Sequence, residues 1–299
     1  MAAFRPDHAS TASPIHAMSV DVEDYLHAWA LTPAIPRERW DSWPSRVVAS
    51  TRRVLALLAA AEVHATFFVL GWVARRHPGL VRDIVAGGHE LASHGHGHHK
   101  VGELGPRAFR SDVADTRLLL EDAGGVPVRG YRAPSFSIGP DEWWAFEALG
   151  EAGYGYSSSV HPIAHDHYGL PEAPRVPFRP FGETLLEIPV ATLDLGRRVS
   201  CGGGGHFRAL PYAWSRWCLA RYGRASRSPA TFYFHPWEID PGQPRVRGLS
   251  SRSRFRHYVN LGRMEAKLTR LLADFAWDRI DRVHDLTPAH HPSWRPTPR

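Results

Sequence analysis

The sequence predicts an α/β fold built on a parallel sheet, and three observations predict it. Seven short strand-like stretches alternate with longer helical patterns, the order expected of a parallel sheet, open or closed into a barrel. Asp21, His94, Arg132 and His235 each lie at or just past the C-terminal end of a different one of those stretches. Barrel enzymes assemble their sites at that end, and one open sheet would struggle to bring four strand ends to one point, so closure into a barrel is favoured. Finally, 299 residues with 43% hydrophobic content can bury one large core or two modest ones.

The elements follow in order. Residues 1–15 are polar and carry Pro and Ser, as a flexible tail does. Residues 17–22 form the first strand and run into Asp21-Val22-Glu23-Asp24. Ser45 caps a helix whose Val47, Val54, Leu55 and Leu58 fall at helical spacing. Residues 65–70 are a short apolar strand. Pro78 opens a helix through Leu80, Ile84 and Val85 that Gly87 and Gly88 close. Residues 90–93 form a buried strand, with His94 next. Pro106 opens another helix, with Phe109, Val113, Thr116 and Leu120 on one face. A strand at 128–131 ends in Arg132-Ala133-Pro134. A helix at 140–152 precedes a strand at 154–157. Residues 159–184 are rich in Pro and His without a period, which suits a long functional loop. Strands at 185–189 and 230–234 flank a helix near 210–222. The glycine run at 200–206, SCGGGGH, is no phosphate loop, because it lacks the Gly-Lys-Ser/Thr ending and is not expected to lead into a helix. A closing helix spans 260–275, and residues 281–299 read as a second flexible tail. A single domain over 16–280 is expected.

Composition narrows the function classes. The net charge is +6, yet Lys100 and Lys267 are the only lysines. Arginines are spread along the chain rather than run together, which disfavours a nucleic-acid partner and suits an acidic polymer substrate. Cys201 and Cys218 are too few for a disulfide framework. The first residues lack the apolar core of a signal peptide and no stretch of 18 apolar residues occurs, so a cytoplasmic protein without a membrane span is expected.

The chemistry concentrates in four pieces. In GHELASHGHGHHKV (88–101), His94 and His98 stand four residues apart. Gly95 and Gly97 disfavour a helix between them, so the pair belongs on a loop that folds both rings toward one point. His96 and His99 are expected to face solvent or to support the pair from behind. The other pieces are Asp21-Val22-Glu23-Asp24, Arg132-Ala133-Pro134 and Phe234-His235-Pro236. Two imidazoles and one carboxylate leave an open position on a divalent metal, a catalytic arrangement, and zinc is the default ion. A second carboxylate can act as base, a separate histidine as acid, and an arginine can hold the base ionised. Together these describe hydrolysis of an amide or ester. Trp29, Trp40 and Trp43 are candidates for stacking on a sugar ring, whereas Trp143, Trp144, Trp214 and Trp217 read as core.

Five stretches, ATFFVLG (65–71), GHELASHGHGH (88–98), GYRAPSF (130–136), FYFHPWEID (232–240) and RFRHYVNL (254–261), carry a resemblance in the right order. The chain resembles the polysaccharide deacetylases of carbohydrate esterase family 4, and is most similar to the branch associated with exosortase-linked exopolysaccharide loci. The resemblance implies a distorted (β/α)7 barrel and metal-dependent removal of acetyl groups from N-acetylated sugars of a poly- or oligosaccharide. It implies Asp21 as base, His94 and His98 as metal ligands, Arg132 as the residue that positions the base, and His235 as general acid. A backbone N–H near Phe136 would help hold the oxyanion. Where the commoner pattern has two adjacent aspartates, Val22 stands second here, so the third ligand is Glu23 or Asp24. Strand alternation puts residues 21 and 23 on one side, which favours Glu23. Ser157 replaces an aspartate frequent in relatives. Two other functions stay open: a C–N hydrolase of the same barrel acting on a cyclic imide or ureide, and a catalytically idle carbohydrate-binding relative.

Overall fold

A computed structural model describes residues 14–297 apart from 167, 181, 183 and 227. The tail expected at 1–15 lies almost wholly outside the described residues. In chain order the strands are β1 (His16–Val22), β2 (Thr66–Val69), β3 (Glu90–Ser93), β4 (Gly130–Tyr131), β5 (Tyr156–Ser157), β6 (Arg179–Pro180), β7 (Leu186–Glu187), β8 (Thr192–Asp194), β9 (Arg198–Ser200), β10 (Thr231–Phe234), β11 (Trp277–Asp278) and β12 (Ser293–Trp294). The main sheet runs β10-β1-β2-β3-β4-β5-β7 with every pair parallel, and β11 adds to the start of β1. Its seven-strand path uses the seven stretches expected from sequence.

These strands are buried on both faces, which is why they read as near-continuous apolar runs. Alternation sorts their side chains. Met18, Val20, Val22, Phe67, Val69 and Leu91 join the outer core under the helices. Ala17, Phe68, Ala92, Tyr156 and Leu186 point inward and meet Ile280 inside the curl. The sheet curls without a continuous ladder between β7 and β10. The gap is bridged by the Ala191 N–H donating to Thr231 and the Tyr233 N–H to the Gly202 carbonyl. The result is a distorted barrel of parallel strands.

The helices are α1 (Val47–Ala60), α2 (Gly71–Arg76), α3 (Pro78–Ala86), α4 (Val101–Gly124), α5 (Ala145–Glu151), α6 (Gly204–Ala209), α7 (Tyr212–Ser226), α8 (Ser251–Tyr258), α9 (Leu261–Asp274) and α10 (Ile280–Val283). In α4 the backbone leaves the helix at Gly105, with φ 68°, and resumes at Pro106, so the helix expected from Pro106 is preceded by an extra turn.

Three expectations are corrected. The glycine run does lead into a helix, because α6 starts at Gly204; the absent Lys-Ser/Thr ending remains the argument against a phosphate loop. Residues 281–297 are not a loose tail. Ser293 and Trp294 pair with Arg179 and Pro180, and the Trp294 ring packs edge-on against Trp143 and Phe178 at 5.5 and 5.4 Å between centroids. A two-residue strand next to prolines has no period to read, so the anchor is one partly buried ring. Trp214 and Trp217 are 39% and 42% exposed rather than core; α7 buries Ser215, Cys218, Leu219 and Tyr222 on its other face.

Candidate active site

The C-terminal ends of β1, β3, β4 and β10 converge on one cleft. At the end of β1, Asp21 is buried at 1% exposure and Glu23 follows one residue past the strand, its N–H donating to the Asp21 carbonyl at 3.0 Å. This tight turn keeps both carboxylates on the mouth side. Asp24 points elsewhere. Its carboxylate accepts from the Tyr25 N–H at 2.8 Å, the Ser45 hydroxyl at 2.7 Å, and the Arg46 and Val47 N–H groups at 2.8 and 3.2 Å. It therefore caps α1 from outside the helix, and the alternative of Asp24 as metal ligand is corrected: its lone pairs are spent on backbone.

At the end of β3, the His94–His98 loop is held open by Gly95, with φ 70°, and by His98 itself at φ 52°. The loop is clipped to the start of α2, where the Gly71 and Trp72 N–H groups donate to the Gly95 and His96 carbonyls at 2.9 Å each. The Arg37 guanidinium donates to the Gly97 and His98 carbonyls from the other side. His94 Nδ1 donates to the Arg132 carbonyl at 2.8 Å, which fixes the tautomer and frees Nε2, as ligand histidines require. His94 Nε2 and His98 Nε2 lie 3.8 and 3.4 Å from the Glu23 carboxylate, and one ligand atom from each of Glu23, His94 and His98 falls within 4.8 Å of the others. Tetrahedral ligands ~2.1 Å from a common zinc stand ~3.4 Å apart, so this donor set fits a divalent cation with little adjustment. Burial alone would raise the Glu23 pKa, but the charges of His98 and His235 and its hydrogen bonds hold it well below the usual carboxylate range.

Arg132, at the end of β4, is wholly buried, and each of its three guanidinium nitrogens donates. It donates to Asp21 Oδ1 at 2.7 Å, to the Ser19 and Ser158 hydroxyls at 2.8 Å each, and to the Ser158 carbonyl at 3.0 Å. Asp21 is thus fixed through one oxygen while Oδ2 faces the cleft. Phe136 lines the cleft, but its N–H donates to the Ala133 carbonyl at 3.0 Å. The Phe136 amide itself is therefore occupied, which leaves the expected backbone N–H near Phe136 to a neighbouring residue. Ser135, in the left-handed region at φ 57°, is the neighbouring amide on the cleft wall.

His235, just after β10, places Nε2 at 3.1 Å from Glu23 and 3.9 Å from Asp21 Oδ2. Its Nδ1 lies 3.1 Å from Glu238 Oε2, which also accepts the His235 N–H at 3.0 Å. Burial would lower the His235 pKa; Glu23 and Glu238 together push it well above its ordinary value. Glu238 is held in turn by Arg208 at 3.1 Å, and both are 1% exposed. Arg208 also donates to the carbonyls of Arg256, His257 and Val259. Glu238 and Arg208 went unread in the sequence. The acidic residue three positions after His235 in HPWE was the available signal for the first; nothing local marked the second.

Of the three tryptophans expected to stack on sugar, only Trp29 lines the cleft, 44% exposed. Trp40 is buried edge-on against His27 and Trp72, and Trp43 packs on that same cluster. Ser157 is buried behind Arg132 and donates to the Ser159 hydroxyl at 2.8 Å.

Comparison with known proteins adds three findings. Residues 39–153 match a family described as polysaccharide deacetylase, and residues 158–285 match a domain of unknown function, DUF3473. Curated relatives include a chitooligosaccharide deacetylase of Sinorhizobium fredii, 38% identical over 32% of this chain and 44% of its own length. A peptidoglycan-N-acetylglucosamine deacetylase of Bacillus cereus is 30% identical over 35% of this chain and 47% of its length. The chain thus spans less than half the length of these two relatives. A solved structure from Mycobacterium smegmatis, assigned as a polysaccharide deacetylase, superposes with a TM-score of 0.63 at 18% identity, covering 97% of this chain and 96% of that one, a likeness of fold.

Proposed function

We propose that this chain, which belongs to the polysaccharide deacetylase family, is a metal-dependent hydrolase that removes N-acetyl groups from an acetylated poly- or oligosaccharide, an exopolysaccharide by its resemblance to that branch. The observation that carries the reading is the convergence of Asp21, Glu23, His94, His98 and His235 on one cleft, with Arg132 buried behind Asp21. A divalent cation, zinc by default, would be held by Glu23, His94 and His98 and would supply Lewis acidity and a lowered water pKa.

The chain's own residues divide the rest of the work. Asp21, oriented through Oδ1 by Arg132, presents Oδ2 to take a proton from the attacking water. The water oxygen bonds to the acetyl carbon, and the charge that builds on the carbonyl oxygen is met by the Ser135 amide. His235 Nε2 then gives its proton to the sugar nitrogen as the C–N bond breaks, and acetate and a free amine leave. Glu238 holds the His235 ring by Nδ1, so Nε2 keeps its aim into the cleft. The names of the relatives, which act on chitooligosaccharide and on peptidoglycan N-acetylglucosamine, support an N-acetylhexosamine at the reacting position.

The test is acetate release from N-acetylated oligosaccharides, measured before chelation, after it, and after zinc is restored. Acetate that disappears on chelation and returns with zinc is expected. An undiminished rate in the chelated protein would refute metal dependence, and ring opening of cyclic imides without any acetate would refute the deacetylase reading.

A further inference from the structure

Residues 241–264 contain six arginines and no aspartate or glutamate. A solvated segment normally mixes signs, and this one supplies no carboxylate of its own. The segment includes α8, SRSRFRHY, whose His257 and Tyr258 are buried and whose Arg252, Arg254 and Phe255 are exposed. Like charges four apart on a helix are mutually unfavourable, and Arg252 and Arg256 hold that spacing. They converge on the one carboxylate of Asp166, at 2.6 and 3.1 Å. Among the described residues no carboxylate pairs with Arg254.

This cluster sits at the mouth of the cleft. Helix α8 packs on the turn Trp29–Leu31, and Arg256, Trp29, His165 and Tyr168 line the same cleft as Asp21 and His235. The mouth therefore presents an exposed aromatic ring beside the guanidinium groups of Arg252, Arg254 and Arg256, and among the described residues Asp166 is the carboxylate that meets two of them. We infer that the glycan is acidic: Arg252, Arg254 and Arg256 receive carboxylates borne by sugar units flanking the one that is deacetylated, while the Trp29 ring stacks on a sugar. Guanidinium groups bind planar carboxylates through paired N–H donors. Asp166 occupies part of that surface and competes with the substrate. This inference rests on the deacetylase reading and names its substrate class.

The experiment compares two hexasaccharides of equal length: chitohexaose, which is neutral, and one alternating N-acetylglucosamine with glucuronate. The wild type is expected to favour the acidic one in kcat/KM, through KM, with an advantage that shrinks as salt rises. The double variant Arg252→Ala/Arg254→Ala should cut the acidic-to-neutral ratio by about tenfold, the scale of two exposed charge pairs. Asp166→Asn should raise that ratio. A wild type without preference, or a ratio that neither variant moves, overturns the inference while leaving the deacetylase reading intact. Acetate from neither substrate counts against the deacetylase reading. Calorimetric binding of the acidic hexasaccharide then decides this one: affinity lost in the double variant supports it, and absent or unchanged affinity overturns it.

Discussion

On the proposed assignment Glu23 and Asp24 are adjacent acids with opposite jobs, and substituting each alone separates fold from metal. Asp24 accepts three backbone N–H groups and one hydroxyl. Replacing it by alanine orphans the Tyr25 N–H and the three donors at the start of α1. An unsatisfied buried donor costs about 1–3 kcal/mol, so with partial rescue by water at Ser45 the expected loss of Asp24→Ala is about 3–5 kcal/mol. Asp24→Asn keeps one accepting oxygen and should lose about 2 kcal/mol. Glu23→Gln removes no backbone partner and should leave unfolding in chelator little changed. Zinc content should behave inversely: retained near one per chain in Asp24→Asn, lost in Glu23→Gln. Urea unfolding in chelator gives the first quantity and elemental analysis after dialysis against zinc the second. An Asp24→Asn protein that unfolds like the wild type but loses its zinc would refute this division of labour.

Three more outcomes are expected. Asp21→Asn should keep zinc and lose about two to four orders of magnitude in kcat, the range for general-base catalysis; a loss under tenfold would move the base elsewhere. His235→Ala should lose most activity on N-acetyl sugars and far less on an activated aryl acetate, whose leaving group needs no proton, and equal losses would make His235 a positioning residue. Glu187 is wholly buried, and burial raises its pKa to about 7 from about 4.5. A raised carboxyl pKa means stability that is complete below about 4.5 and lost as the pH rises through about 7. Melting temperature should therefore fall from pH 5 to 8 more steeply in the wild type than in Glu187→Gln, and parallel slopes would exclude Glu187 as the source.

The strand ends were legible because a parallel strand buried on both faces is an apolar run, and Asp21, His94, Arg132 and His235 each interrupt or follow one. The preference for Glu23 rested on strand alternation, although residue 23 lies past the end of β1 and is placed by the turn on Asp21. Less local facts could not be read. Arg208 meets Glu238 across 30 residues, a pairing that only tertiary packing creates. The Phe136 amide is spent within its own short turn, and no residue type announces that. Trp214 and Trp217 stand three apart as helix neighbours do, but spacing says which residues share a face and not which face is inward. The Trp294 anchor depends on a partner strand more than a hundred residues away.

The clip between α2 and the histidine loop has an evolutionary corollary. A Cβ built at Gly71 would run into the His96 imidazole, and the loop carbonyls on either side of that contact are the ones tied to α2. Position 71 therefore bears on the loop that carries His94 and His98 without touching either. Even an alanine there would have to turn the His96 ring aside and ease the loop backbone by a few tenths of an ångström, so one added methyl group could disturb the proposed metal pocket while every proposed ligand residue stayed in the sequence. A catalogue of ligands alone would count such a descendant as active.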